Sequence, residues 1–246
     1  MTEYAEYDSF QTVLYFRAPC TIFARKIRLI PMPALIVFDF ETSGLKPAQG
    51  ARIIEVGAVL VENGGIRARF QRLINPGFAV SAFVTSFTGI SNAMLRDAAS
   101  SAEVLPEFCE FCGDLPLVAH NARFDRAFLQ AELARLGQSY TNICACSMLA
   151  ARRILPDAPR YRLQVLADYC GLSMHGSWHR ALADAEVTAQ LWMYMEERLR
   201  QQYGLKQTPF ALMEQLTRLQ RRQVPSWLRL QAAQQQAGLF AAGGIA

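Results

Sequence analysis

Short apolar runs that stop at polar clusters alternate along this chain with longer stretches of helical periodicity. The sharpest run is Leu35-Ile36-Val37-Phe38, which continues through Asp39-Phe40-Glu41-Thr42 and is broken by Ser43-Gly44 and Pro47. A short run that is rich in apolar residues and closed by turn formers predicts a strand covered on both faces. Arg52 to Val61, the turn Asn63-Gly64-Gly65 and Ile66 to Ile74 predict a hairpin, and with the first strand it makes an antiparallel meander. Residues 76 to 90 read as loop, with Phe78, Phe83 and Phe87 scattered in it, and Thr88-Gly89-Ile90-Ser91 leads into a short helix. Ser100-x-x-Glu103 has the form of a capping box, so a helix follows to about Gly113. Leu117-Val118-Ala119 predicts a short buried strand that ends at His120-Asn121. Arg123 to Leu136 predicts a helix with Phe124, Phe128, Leu133 and Leu136 along one stripe.

This order of strands and helices is that of an α/β domain, and 246 residues suit one such domain with appendages. No apolar run approaches the roughly eighteen residues needed to span a bilayer, so no membrane association is expected. The six cysteines sit in a chain without an export signal, which points to reduced thiols and a cytoplasmic protein. Cys109-x-x-Cys112 and Cys144-x-Cys146 suggest zinc by spacing. Cys109 and Cys112, however, share a helical stripe with Leu105 and Phe108, where cysteine behaves as a small core residue.

The strand carries the candidate chemistry. Side chains alternate along a strand, so Asp39 and Glu41 point the same way, side by side at its carboxyl end. Two such anions are relieved by a shared proton or by a divalent cation, and an all-oxygen donor set suits Mg²⁺ or Mn²⁺. Asp125 falls in the first turn of its helix, where the dipole favours a carboxylate that can still point toward the sheet. Asp184 and His179 are compatible with one site only under a condition. If both were helical they would lie about 140° apart around the axis. If the helix begins near Arg180, His179 lies in the preceding loop and Asp184 opens an inward stripe through Val187, Thr188, Leu191 and Met195.

Asp39-Phe40-Glu41-Thr42-Ser43-Gly44, His120-Asn121-Ala122-Arg123-Phe124-Asp125 and His179-Arg180-Ala181-Leu182-Ala183-Asp184, in this order, resemble the three motifs of the DEDDh superfamily of 3′→5′ exonucleases. The likeness is strongest to the proofreading epsilon subunits of bacterial DNA polymerase III. It covers about residues 34 to 200, and Arg162-Leu163-x-x-Leu166 resembles that group as well. The resemblance implies a ribonuclease-H-like fold, a mixed five-stranded sheet flanked by helices, with a weak fifth strand near Asn142 to Cys146.

It also implies roles. Asp39, Glu41, Asp125 and Asp184 match the metal-binding carboxylates for two Mg²⁺ ions, which Mn²⁺ can replace, and His179 matches the general base. Such a pair of ions supplies an activated water and stabilises the departing 3′ oxygen. Thr42, Ser43, Leu45, His120, Asn121 and Phe124 match the residues that meet the terminal nucleotide, with Leu45 as a wedge against the last bases. Ser43 replaces the commoner threonine. Arg180 stands where epsilon subunits usually have glycine, so it either contacts phosphate or alters the mobility of the loop. The implied substrate is the 3′ end of single-stranded DNA. RNA trimming on the same scaffold is the alternative, since no motif reports how a 2′-hydroxyl is read. A vestigial, polymerase-associated binding module is a third reading, which the presence of all five catalytic positions opposes.

The ends differ from the middle. Residues 1 to 31 scatter aromatic residues without helical period and read as an extension that the exonuclease domain, 32 to 204, does not require; an edge strand packed on that domain is the alternative. Residues 205 to 246 read as glutamine-rich, basic helices separated at Pro225 and followed by a flexible tail. Lys206, Arg218, Arg221, Arg222 and Arg229 against Glu214 account for the whole net charge of +4, so this end either touches polyanions or presents a solvated helix face. Gln236-Ala237-Gly238-Leu239-Phe240 resembles the pentapeptide by which replication proteins dock on the bacterial sliding clamp, with Gln236, Leu239 and Phe240 as the contact residues. That docking needs an exposed, unstructured chain. The clamp and a polymerase catalytic subunit are the partners these resemblances imply.

Overall fold

The computed structural model describes residues 34–174 and 178–242, the last four of these by backbone alone. The extension 1–31 and residues 175–177 of the loop before His179 lie outside it. Strand β1 (Leu35–Thr42) forms the centre of a mixed sheet with β2 (Ile53–Glu62), β3 (Gly65–Leu73), β4 (Leu117–Ala119) and β5 (Cys144–Cys146), in the order β3-β2-β1-β4-β5. The first three strands are antiparallel, while β4 runs parallel to β1 and β5 parallel to β4. Asn63 and Gly64, at φ 52° and 72°, close the β2–β3 hairpin in the left-handed conformation that a two-residue turn requires.

Both faces of the sheet are covered. Helices α3 (Ser101–Cys112) and α4 (Arg123–Arg135) cover one face, where Phe108, Phe128 and Leu133 pack on Ile36, Phe38 and Phe40. The capping box at Ser100 and Glu103 forms as the spacing predicts. Helices α5 (Ser147–Ile154), α6 (Leu163–Cys170) and α7 (Ala181–Tyr203) cover the other face, where Leu191, Trp192 and Met195 pack on Leu35, Val37 and Val59. Alternation along β1 therefore aims Asp39 and Glu41 at the α7 side. Among the described residues no helix is long and apolar enough to cross a membrane.

Two stretches differ from expectation. Residues 76–90 are not all loop, because α1 (Ala82–Thr88) forms behind an N-cap at Ser81, whose hydroxyl accepts from the Val84 N–H. Its sequence, rich in β-branched and aromatic residues, has weak helix propensity, and Val84 is held by a small cluster with Val80, Ile90 and Leu95. After it comes the expected short helix α2 (Asn92–Arg96).

The second difference is at the carboxyl end. Helix α8 (Phe210–Arg218) and helix α9 (Val224–Ala242) are separated near Pro225 as expected, but Phe210, Met213, Leu216 and Leu228 join the apolar cluster that contains Trp192. Helix α9 continues through Ala242, so Gln236 to Phe240 lie on a helix and not in the extended chain that clamp docking requires. Alanine and glutamine carry the helix, and the one glycine inside it, Gly238, costs only about 1 kcal/mol.

Candidate active site

Four carboxylates meet at the carboxyl end of β1. Asp39 and Glu41 leave it on one face. Across the β1–β2 register, Asp39 stands opposite Gly57 and Glu41 opposite Glu55. Gly57 is where α7 touches the sheet, since a Cβ there would lie 2.1 Å from the Leu182 nitrogen. Only glycine admits the helix so close, and this approach carries buried Asp184 to Glu41. Asp125 comes from the first turn of α4 on the opposite face. Its Oδ1 accepts a hydrogen bond of 3.3 Å from the Phe40 N–H, which draws it around the end of the strand.

Helix α7 begins at Ala181 with Arg180 as its N-cap, so His179 lies in the loop, the arrangement under which His179 and Asp184 share a site. His179 adopts φ 62°, a left-handed conformation that histidine tolerates better than most residues. Its backbone N–H donates to Asp184 Oδ2 at 3.3 Å, and its ring lies 3.8 Å from that of Phe87 on α1. Glu41, His179 and Asp184 each bring a ligand atom within 4.8 Å of the others.

The electrostatics show what such crowding costs. Loss of solvent, then the charges of Asp125, Glu41 and Asp184, hold the Asp39 carboxyl well above the ordinary range. Glu41 is pushed up to about 8, first by burial and then by Asp184 and Glu55. Burial raises Asp125 to about 7 and Asp184 to about 6, against the opposing hydrogen bonds from the Phe40 and His179 N–H groups. Asp184 Oδ1 is buried without a hydrogen-bond partner among the described residues. A buried carboxylate cluster with one orphaned oxygen is the donor set of a hard divalent cation, and these residues fit one. Partial burial lowers the His179 pKa, so its imidazole is neutral near pH 7.

Of the residues expected to meet the terminal nucleotide, His120 and Asn121 line the groove that also holds His179 and Asp184. Leu45 is 82% exposed. Thr42 donates its hydroxyl to the Gly44 carbonyl, and Ser43 Oγ accepts from the Arg52 N–H, so both oxygens brace the turn after β1. Asn121, at φ 65°, lines the groove beside His179. Phe124 is half-buried and packs on Phe128. His120 is placed differently from a free contact residue. Burial lowers its pKa to about 4, its Nε2–H donates to the Tyr161 carbonyl, and its Nδ1 accepts from the Ser147 hydroxyl, each at 2.9 Å. With both nitrogens engaged, it is a strut that holds the Tyr161 segment.

The sequence reading overlooked Glu55, and with it the partner of Arg180. Glu55 is fully buried and accepts from Arg180 Nη2 at 2.7 Å, Arg180 Nε at 3.1 Å, the Ala181 N–H at 3.1 Å and Gln71 Nε2 at 2.8 Å. Arg180 is therefore a tether between β2 and the start of α7. The one available signal was the pair of exceptions, Glu55 and Gly57, inside an otherwise apolar strand. Replacing Arg180 strips a buried carboxylate of its counter-charge. Arg180→Ala is expected to lower the unfolding free energy by about 2–4 kcal/mol in urea titrations. A loss below about 0.5 kcal/mol would assign Arg180 to the solvated surface instead.

A family model described as Exonuclease matches residues 36–192. A PolC-type DNA polymerase III from Caldanaerobacter subterraneus is 38% identical over 171 residues, which are 70% of this chain and 12% of that protein. The 3′-5′ exonuclease DinG of Bacillus subtilis is 35% identical over 188 residues, 75% of this chain and 19% of that protein. The DNA polymerase III subunit epsilon of Aquifex aeolicus is 34% identical over 171 residues, 69% of this chain and 84% of that protein. The chain thus spans a small part of the first two relatives and most of the third. Among solved structures, exonuclease X in complex with 5′ overhanging duplex DNA is 27% identical, with a TM-score of 0.59, over 74% of this chain and 99% of that one.

Proposed function

The chain belongs to the exonuclease family that this model describes, a family dependent on divalent metals, and from that premise we propose that it removes nucleoside 5′-monophosphates from the 3′ end of single-stranded DNA in proofreading or repair. The observation that carries the reading is the buried cluster of Asp39, Glu41, Asp125 and Asp184, with the Asp184 Oδ1 orphaned and a neutral imidazole beside it.

Asp39, Glu41, Asp125 and Asp184 would hold a pair of Mg²⁺ or Mn²⁺ ions. When bound, such ions supply positive charge to an attacking water and to a departing 3′ oxygen. His179 takes the proton of that water, since burial keeps its ring unprotonated and the Asp184 carboxylate fixes the backbone that carries it. Gly57 sets how closely α7 brings Asp184 to β1, and the Glu55–Arg180 pair fixes the helix start next to His179. Leu45, exposed after β1, would separate the terminal base from its neighbour.

DNA is favoured over RNA because the PolC-type and epsilon relatives are named for DNA polymerase III and the exonuclease X structure holds DNA. The test is single-turnover digestion of 5′-labelled, matched DNA and RNA oligonucleotides with Mg²⁺. A ladder shortening from the 3′ end, faster on DNA, is expected. Faster digestion of RNA would move the protein to the RNA-trimming reading, and no digestion of either would overturn the function.

A further inference from the structure

A groove of about 850 Å³ opens at Asp184 and His179 and runs past Trp178 and Met148 to Arg152, Arg160 and Arg162. We propose that this groove is a second binding segment, which holds the phosphates of the strand upstream of the scissile bond on Arg152, Arg160 and Arg162 and its bases on Phe87 and Trp178. The inference rests on the function proposed above and extends it from the terminal nucleotide to the strand behind it.

Some exposed arginines pair with carboxylates, as Arg69 does with Glu186 and Arg218 with Glu214. Among the described residues Arg152, Arg160, Arg162 and Arg221 make no ion pair, although all are exposed and three of them line one wall. Two of the four, Arg152 and Arg221, are held together on one aromatic ring. The guanidinium groups of Arg152 and Arg221 lie 5.7 and 5.8 Å from the Tyr161 ring centroid. Arg221 donates to the Tyr161 hydroxyl at 2.6 Å and to the Arg152 carbonyl at 2.7 Å. The Tyr161 carbonyl is in turn held by His120. The crowding of positive charge is felt next door, where loss of solvent and then the charges of Arg152 and Arg221 lower the pKa of Arg153. A protein gains nothing in stability by gathering unpaired guanidinium groups, whereas a polyanion gains a row of them.

The floor supplies the other half of a single-strand site. Phe87 is 49% exposed at the groove wall beside the His179 ring, and Trp178 stands on the same wall. Aromatic faces next to a basic track bind successive bases without regard to sequence, as an enzyme that trims any 3′ end requires. Arg221, which fixes the track, comes from the basic end of the chain, so part of the net charge there serves this groove.

The experiment measures binding of the full chain to a fluorescein-labelled single-stranded 12-mer in EDTA, across a salt series, and degradation of the same strand with Mg²⁺. The triple variant Arg152→Ala, Arg160→Ala, Arg162→Ala is expected to bind at least tenfold more weakly. The slope of log affinity against log salt should fall by about 2, at about 0.7 for each lost contact. The triple arginine-to-lysine variant keeps the charges and should retain most of the slope. Because these side chains are exposed, unchanged thermal melts are expected of both. If the alanine variant binds with wild-type affinity and slope while wild type degrades the strand, the groove assignment falls and the exonuclease stands. If wild type binds through these arginines and degrades nothing, the groove stands and the function falls.

Discussion

Asp39→Ala abolishes Mg²⁺-dependent release of nucleotides and, in metal-free protein, raises the melting temperature; this is the largest pair of effects expected here. Asp39 is surrounded by Asp125, Glu41 and Asp184 and deprived of solvent, so its carboxyl titrates well above its ordinary value of 3.8. A folded-state pKa raised above the unfolded one contributes stability below about 3.8 and loses it as pH rises through the folded value. At pH 7–8 the residue is therefore a liability to the metal-free fold, and its removal should be more stabilising at pH 8 than at pH 4. Each 1 kcal/mol regained appears as about 2–4 °C in a chain of this size. The same carboxylate is an asset to the loaded site. Added Mg²⁺ should raise the wild-type melting temperature, because ligand binds the native state alone, and should leave that of Asp39→Ala nearly unmoved. Robust Mg²⁺-dependent cleavage by Asp39→Ala would sink the carboxylate assignment, while lost cleavage with an intact Mg²⁺-induced shift would place Asp39 outside the metal site.

His179→Ala should depress turnover by about two to four orders of magnitude, the scale of general-base catalysis. The wild-type acid limb reflects the imidazole. Burial lowers its pKa from 6.5, so activity falls only as pH drops below that value, and the variant should be flat there. Saturating Mg²⁺ is needed in both, because cations hold the carboxylates ionised and keep their titration out of the profile. Alanine is a poor occupant of φ 62°, and a loss of activity could then come from the backbone. Asparagine is the useful comparison at this position, because His179→Asn tolerates the left-handed conformation without supplying a base. Equal losses in the two variants assign the effect to the imidazole. An acid limb that survives in His179→Asn would remove His179 from the role.

Much of the site was legible because it is local. A period of two placed Asp39 and Glu41 on one face of β1, a capping box announced α3, and at 100° per residue His179 and Asp184 could share a site only if α7 began between them, as it does. Each signal spans a few residues, within the reach of backbone geometry. What the sequence did not disclose depends on which distant segments the sheet order β3-β2-β1-β4-β5 brings to one end. Glu55 and Arg180 are 125 residues apart, and nothing near either names the other. Helix α1 has weak propensity and forms because Ser81 caps it and Val84 is buried, and only then does Phe87 reach His179. The Gln236 to Phe240 stretch shows the converse, where a motif matched as an extended peptide is carried by helix formers. Sequence alone determined the kind of chemistry, since residue types at fixed local spacing limit what a strand end can hold. Tertiary structure decided which charges are neutralised and which are left for a substrate, because the pairing of a charge depends on whatever the fold packs beside it.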